Sequence, residues 1–155
     1  MKNPHKAAPR IISAFFLSYT KPEHMLNSAK IQKLVYYAQA WNLAMYEETL
    51  FEEPIYANEN GPALKSLEKV FQEFGYKPIT LSIKKPSLHR DIEGHLQDVY
   101  DTYGHLVEGD LVLMSTNEDP WRLAHHEGKK EDWSDVIQLE EIKNYYRSRL
   151  EPNEN

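Results

Sequence analysis

Hydrophobic residues recur at helical spacing along most of the chain, and they predict a mainly helical fold. The strongest segment is residues 29–46, which contain neither glycine nor proline and which Asn27 or Ser28 can cap. Apolar residues cover almost all of its sides. The clearly polar positions are Lys30, Lys33 and Asn42. Because a helix that is apolar nearly all round packs against several neighbours, we expect this segment to be the central buried helix.

Four shorter segments also have the helical period. They are residues 10–19, the segment between Pro86 and Gly104, residues 121–126 and residues 139–150. In the second segment the residues that share one apolar face are Ile92, Leu96, Val99, Tyr100 and Tyr103. In the last segment the residues predicted to point inward are Leu139, Ile142, Tyr146 and Leu150.

A turn that contains glycine and proline is predicted to open one more helix. Asn60 or Gly61 can cap this helix, and Pro62 suits its first position because a proline has no amide hydrogen to leave unpaired. Gly75 stands where a glycine commonly follows the last turn of a helix. The sequence therefore predicts a helix that runs from Pro62 to just before Gly75.

Two short segments have the character of strands. Residues 50–57 are extended in character, and residues 79–83 alternate between apolar and polar positions. The predicted fold class is thus mainly α (α+β), a compact helical domain around the central helix with two or three short strands. The polar or proline-containing ends predict a flexible N-terminal tail at 1–8, a single domain at 9–150 and a flexible C-terminal tail at 151–155.

Composition excludes several classes of protein. The 155 residues include no cysteine, so disulfides, cysteine-based zinc sites and thiol catalysis are excluded. The 24 acidic residues outnumber the 18 basic ones, which argues against a dedicated nucleic-acid-binding protein. Because no apolar run has the length of a membrane span and the N-terminus is a poor secretory signal, we expect a cytoplasmic protein without a membrane partner.

Seven histidines suggest a metal site, but their spacing does not support one. Two ligands on one helical face need a separation of three or four residues, and the gaps here are 19, 65, 6, 10, 20 and 1. His125 and His126 are adjacent, so on a helix they point about 100° apart. We therefore predict neither a metal nor a cofactor. A metal site assembled from distant segments remains an alternative.

Catalytic patterns are equally weak. Adjacent carboxylates such as Glu118 and Asp119 diverge on a helix or strand, so we interpret these pairs as solvated surface charge. The six glycines are isolated and form no phosphate-binding loop, and no Gly-x-Ser-x-Gly motif supplies a nucleophile. The protein is therefore predicted not to be an enzyme.

One polar segment has two compatible interpretations. Residues 115–121, Ser-Thr-Asn-Glu-Asp-Pro-Trp, combine capping side chains, a proline and a tryptophan. The segment is either a capped helix start whose tryptophan fills the core, or a loop that presents Glu118, Asp119 and Trp121 to a partner. Both can hold at once.

Residues 33–44, Lys-Leu-Val-Tyr-Tyr-Ala-Gln-Ala-Trp-Asn-Leu-Ala, resemble the signature helix of the Panacea domain. That family is also described as SocA-like antitoxins or GepA-like phage-associated proteins. Further stretches resemble the family in its order. They are residues 50–55, 60–62, 116–121 and 142–146, so that the resemblance spans residues 28–150.

The sequence departs from the family pattern at three positions. Asn60 precedes Gly-Pro where the family usually has an aromatic residue. Glu47 stands near the position of a glycine that usually follows the signature helix, and Asn117 stands where a histidine usually follows threonine. If that histidine has a chemical role in the family, this protein lacks it.

The resemblance implies an antitoxin-like domain that neutralises a cognate toxin by direct protein contact. Some members are similar to proteolytic adaptors that deliver the toxin to an ATP-dependent protease. The residues predicted to bind the partner are Tyr37, Trp41, Asn60, Gly61, Pro62, Glu118, Asp119, Trp121 and Arg122. Two alternatives stay open: a small metal- or ligand-binding enzyme that uses the region from His89 to His126, and a phage-encoded modulator of a host protein.

Overall fold

The computed structural model describes residues 5–150, and most of them form helices. These are α1 (Pro9–Tyr19), α2 (Ser28–Tyr46), α3 (Lys65–Phe71), α4 (Arg90–Tyr103), α5 (Glu108–Thr116), α6 (Asp119–Glu127) and α7 (Leu139–Arg147). Short 3-10 turns lie at Pro22–His24 and Gln72–Phe74, and β1 (Tyr56–Asn58) pairs with β2 (Gly61–Ala63). The prediction of a mainly helical fold with a little β structure is confirmed.

The central helix is α2, as the sequence predicts. Its first turn is capped by Asn27, whose side chain accepts a hydrogen bond from the backbone N–H of Lys30 at 2.9 Å. It packs against α1, α3, α4, α5, α7 and β2. Its polar residues are enclosed as well, because Lys30, Lys33 and Asn42 are all buried. Every residue of this helix between 30 and 40 is buried.

Two glutamines of α2 hold irregular backbone segments against the helix. The Gln32 side chain donates to the carbonyl of Leu64 at 3.0 Å and accepts from the amide of the same residue at 2.7 Å. Gln39 donates to the carbonyl of Phe51 at 2.8 Å and accepts from the amide of Leu50 at 2.7 Å. Each side-chain amide thus replaces a strand partner for backbone that would otherwise be buried without hydrogen bonds.

The helix predicted to start at Pro62 begins later, at Lys65. Pro62 lies instead in β2, where it pairs with Ala57 in the antiparallel hairpin, and Leu64 occupies the N-cap position without a capping hydrogen bond from its side chain. The prediction that Asn60 or Gly61 caps the helix is therefore wrong. Proline is tolerated in a two-stranded hairpin because one side of each strand needs no ladder bond.

The strand predicted at residues 79–83 is absent from the part of the protein that the structure describes. Residues 78–89 are irregular, and the backbone of Ile79 makes a single hydrogen bond, from its amide to the carbonyl of Leu26 at 2.8 Å. The buried Ile79 explains part of the alternating pattern. Without a neighbouring strand to pair with, such a pattern does not give a strand.

The face predicted for α4 is confirmed, since its five apolar residues are all buried. In α7 the prediction holds for Ile142 and Tyr146, whereas Leu139 and Leu150 are exposed. Leu139 is the first residue of α7 and Leu150 lies beyond its end, so both stand at the margins of the helix.

Glu47 ends α2 in the left-handed conformation, with φ of 57° and ψ of 30°. Its carboxylate pairs with Arg147 at 3.1 Å and with Lys143 at 3.9 Å, which connects the end of α2 to α7. The left-handed region favours glycine at the end of a helix. The backbone therefore explains why a glycine suits this position.

The predicted tails lie mostly outside the described residues. Residues 1–4 and the whole of 151–155 fall there, and the structure gives no account of them. Of the remainder, the Lys6 ammonium donates to the carbonyl of Thr49 at 2.6 Å, and the amide of Ala7 donates to the carbonyl of Leu50 at 2.9 Å. Lys6 and Ala7 are thus attached to the segment that follows α2.

Candidate partner-binding site

A cleft of about 370 Å³ lies beside the N-terminal half of α2. The β1–β2 turn forms one wall, and the end of α3 and residues 132–133 form the others. Its lining includes Gln32, Lys33, Asn58, Gly61, Tyr76 and Trp133. The cleft opens to solvent on the side of its exposed residues Asn60 and Asp132.

Lys33 contributes a buried positive charge to this cleft. The residue is only 3% exposed, and its ammonium makes no hydrogen bond with any of residues 5–150. Burial lowers the pKa of Lys33 to about 8, although the Glu108 carboxylate acts in the opposite direction. Charged groups without partners are rare in protein interiors because removing them from water is costly.

The backbone of Gly61 is in direct contact with the Lys33 side chain. A Cβ atom added to Gly61 would lie 2.6 Å from Cε of Lys33 and 2.9 Å from Oγ of Ser115, and the φ angle of Gly61 is 113°. Neither the conformation nor the space admits another residue. Gly61 thus lets the lysine pass beneath the turn.

Trp121 supports the same wall from the interior. Its indole N–H donates to the carbonyl of Asn58 at 2.8 Å, and its ring stacks on His125 with the centroids 4.3 Å apart. On the other side, the amide of Trp133 donates to the Asn58 side-chain oxygen at 2.8 Å. The tryptophan of the 115–121 segment therefore fills the core, whereas Glu118, at the N-cap position of α6, makes no capping hydrogen bond with its side chain.

A second cluster, which we call the tyrosine network, lies where α6 begins beside α2. It consists of Glu118 and the aromatic residues around it, Tyr36, Tyr37, Trp41, Tyr103 and Tyr146. The hydroxyl of Tyr37 donates to Oε1 of Glu118 at 3.1 Å, and the hydroxyl of Tyr146 donates to the same oxygen. Burial raises the pKa of Glu118 above its ordinary value, while these two hydrogen bonds oppose the rise. The interpretation of Glu118 as solvated surface charge is therefore wrong; its neighbour Asp119 is exposed.

Aromatic rings complete the tyrosine network. Tyr37 stacks on Tyr103 with the ring centroids 4.1 Å apart, and the Trp41 indole donates to the Tyr103 hydroxyl at 2.7 Å. Burial raises the pKa of Tyr103 to about 12 and raises those of Tyr36 and Tyr37 further. These hydroxyls therefore act as neutral hydrogen-bonding groups inside the fold.

The histidines of the region from 89 to 126 do not gather around one point. Among residues 5–150, the one group of three potential metal ligands is His5, His89 and Asp91, and all three are exposed. His95 is buried with Nε2 2.8 Å from the carbonyl of Ala38, and burial lowers its pKa. The geometry thus gives the predicted enzyme alternative no enclosed ligand set within the described residues.

Comparison with known families gives a match that covers both the central helix and the Gly-Pro turn. A family model described as "Antitoxin SocA-like, Panacea domain" matches residues 31–122. The protein belongs to this family. The match starts within α2 and ends within α6, so it includes the hairpin and both sides of the Lys33–Gly61 contact. Neither the search of curated proteins nor that of solved structures gave a match.

The Panacea domain places the nine predicted partner-binding residues at different depths. Asn60, Asp119 and Arg122 are exposed, and Trp41 and Glu118 are half-buried. The buried ones are Tyr37, Gly61, Pro62 and Trp121. The first two groups are accessible from the surface of the native fold, whereas the four buried residues lie inside it.

Sequence reasoning missed the residues that give each cluster its chemistry. The hydrophobic pattern marks Lys33 only as part of a polar edge of α2, whereas the structure buries it. The sequence does contain a signal for this burial, because a helix that is apolar nearly all round is enclosed by its neighbours together with its few polar residues. Tyr146 is predicted to point inward, but nothing in the sequence indicates that it shares a carboxylate with Tyr37. Tyr146 also lies outside the matched residues 31–122 of the Panacea domain.

Proposed function

We propose that this Panacea domain is an antitoxin that neutralises a toxin protein by direct contact. Membership in the antitoxin family is the observation that carries the proposal. The structure supports binding as the mode of action because the signature residues build the core of the fold. Tyr37 and Gly61 secure the tyrosine network and the hairpin, which leaves the surrounding surface for recognition.

The contact surface in this proposal follows the edge of the cleft and the start of α6. Asn60 offers a free amide at the hairpin turn. Asp119 and Arg122 lie one helical turn apart on α6 and form an exposed ion pair of 3.5 Å, which a charged partner can exchange for its own pairs. Half-buried Trp41 adds an aromatic edge, and tryptophan and arginine are frequent anchors of interfaces.

The proposed action involves no chemical step and takes place in the cytoplasm. No helix among residues 5–150 is both long and apolar enough to cross a lipid bilayer.

A phage-encoded modulator of a host protein would use the same physics of binding with another target. Capture of a host protein in place of a toxin distinguishes that alternative.

Co-expression with the reading frame next to this gene tests the proposal. The frame should stop growth when it is expressed alone, growth should recover when this protein is co-expressed, and the two proteins should co-purify. The double substitution Asp119→Lys with Arg122→Glu should weaken both rescue and co-purification, whereas Asp101→Asn, at an exposed position of α4, serves as a control. A harmless neighbour, or rescue without any association, would contradict the proposal.

Delivery to an ATP-dependent protease is a second mode of neutralisation that the same experiment separates. If the antitoxin acts by contact alone, the amount of toxin protein stays constant during rescue. If it acts as an adaptor, the toxin disappears during rescue and persists in a host without the protease. Circular dichroism of every variant confirms that the fold is retained.

A further inference from the structure

We propose that the cleft beside Lys33 is a carboxylate subsite, in which the Lys33 ammonium pairs with one carboxylate of the protein partner. The chemistry of the subsite follows from the cleft itself, while the partner as the source of the carboxylate rests on the proposed function. The side chain of an aspartate or a glutamate, or the C-terminal carboxylate of the partner, can each present this group.

Two buried lysines of α2 differ in one respect that matters for binding. The ammonium of Lys30 donates to the carbonyl of Gly104 at 2.8 Å, whereas that of Lys33 has no acceptor among the described residues. No side-chain nitrogen or oxygen of the described residues is both sealed from solvent and without a hydrogen bond. The Lys33 ammonium therefore has to reach the cleft, and an anion in the cleft can reach the ammonium.

The charges around Lys33 favour an anion with a single charge. Glu108 is the acidic group that acts on Lys33, but its carboxylate accepts from the Asn27 side chain at 2.8 Å and forms no ion pair with the lysine. Glu68 and Asp132 line the outer part of the cleft. These three carboxylates would repel a doubly charged phosphate more strongly than they repel a carboxylate.

The cleft also supplies donors for the second oxygen of a carboxylate. Ser28 and Asn60 line it, and neither side chain has a hydrogen-bond partner among residues 5–150. Together with the lysine they offer a hydroxyl, an amide and an ammonium around one space. Hydrogen bonds from charged donors to a carboxylate are the stronger kind, and they gain further in a partly desolvated cleft.

Exposed apolar side chains near the cleft indicate a protein as the source of the carboxylate. Tyr76 lines the cleft and is 85% exposed. The Asn27 side chain donates hydrogen bonds to the Tyr76 carbonyl and to the Glu108 carboxylate. Two exposed apolar residues lie beside these positions in the sequence: Met25, two residues before Asn27, is 51% exposed, and Val107, directly before Glu108, is 64% exposed. Apolar groups beside a polar recess suit a macromolecular surface better than a small metabolite.

The first experiment tests the chemistry on the full-length protein without any partner. Lysine residues are labelled with ¹³C at Cε, and their signals are followed against pH in acetate, in inorganic phosphate and in chloride at equal ionic strength. Acetate should raise the titration midpoint of Lys33 by about one pH unit and leave that of Lys30 unchanged, because a bound anion favours the charged amine. No response of Lys33 to acetate, or a larger response to phosphate, would overturn the carboxylate subsite.

The second experiment tests the source of the carboxylate with the toxin found by co-expression. Lys33→Met should weaken toxin binding by about thirtyfold or more, while Lys30→Met, which removes a lysine that already has a partner, should leave it unchanged. Lys33→Gln, which keeps a polar end without the charge, should behave like Lys33→Met and guards against an effect of folding. Unchanged binding by both Lys33 variants would overturn the inference.

The two experiments separate this inference from the proposed function. If no neighbouring protein is a toxin, the proposed function fails, and the acetate titration still decides whether the subsite exists. If the toxin binds and Lys33 ignores acetate, the antitoxin role stands and the subsite is wrong.

Discussion

Replacement of Lys33 by methionine should stabilise the protein at neutral pH. The Lys33 ammonium forms no hydrogen bond or ion pair with residues 5–150, and its aliphatic part runs against Gly61, where a methionine of similar length can pack. Burial lowers the pKa of Lys33 from 10.5 to about 8, and this difference corresponds to an unfavourable contribution of about 3 kcal/mol whenever the amine is charged in both states. We therefore expect Lys33→Met to raise the free energy of unfolding by up to about 3 kcal/mol near pH 7.

The effect should shrink in alkaline solution. Between pH 8 and 10.5 the folded protein has already released the Lys33 proton, whereas the unfolded protein still binds it. Because stability rises with pH wherever the unfolded state binds more protons, the wild-type protein gains stability in this window and the variant does not. The advantage of Lys33→Met should fall to about 1 kcal/mol near pH 9.5.

Urea denaturation followed by tryptophan fluorescence measures both effects. The buffers must contain no carboxylates, since a bound anion would remove part of the cost. Lys30→Met is the matched control: it leaves the carbonyl of Gly104 without its partner and should destabilise the protein by about 1–3 kcal/mol. A Lys33→Met protein that is less stable than wild type at neutral pH, with a gap that does not narrow toward pH 9.5, would refute this reasoning.

Three further predictions concern the turn, the tyrosine network and the end of α2. Gly61→Ala should cost about 2 kcal/mol or more in urea denaturation, and adding Lys33→Ala should recover the part due to the clash with Lys33, but neither the part due to the close approach to Ser115 nor the part due to the φ angle. Glu118→Ala should destabilise by about 2–4 kcal/mol because two buried hydroxyls lose their acceptor. Glu118→Gln should destabilise the protein less than Glu118→Ala. Because the pKa of Glu118 is raised in the folded state, the wild-type protein should lose stability relative to Glu118→Gln as the pH rises above about 4.5. A stability difference between the two proteins that does not change with pH would contradict the raised pKa. Glu47→Gly should be about 1 kcal/mol more stable than Glu47→Ala, because both remove the ion pairs and only glycine relieves the left-handed backbone; equal stabilities would count against this explanation.

The sequence predicted every helix of residues 5–150 except α5, because the signals of the other helices are local. The apolar period and the flanking cap fix α2, and the face of α4 follows from spacing alone. Failures occurred where a distant partner decides the local structure. Pro62 has the pattern of a helix start, yet pairing with Ala57 and the hydrogen bonds from Gln32 to Leu64 place it in a strand.

The candidate site was less accessible from the sequence for the same reason. The stretch that contains Gly61 has a recognisable pattern, but the lysine that requires this glycine lies 28 positions earlier, on another element. Glu118 forms a local acidic pair with Asp119, and only the arrival of Tyr37 and Tyr146 from α2 and α7 makes it a buried acceptor. Contacts between elements, rather than patterns within them, create the chemistry here.

The two glutamine amides of α2 have a consequence for how this protein can diverge. Gln32 and Gln39 recognise only main-chain atoms of Leu50, Phe51 and Leu64, so these hydrogen bonds do not depend on which side chains the three residues carry. A glutamate at either position could accept but not donate, and the path would be lost. The main chain of both connections is thus held by hydrogen bonds while the side chains of Leu50, Phe51 and Leu64 are buried in the core, which leaves divergence to exposed neighbours such as Glu52 and Lys65.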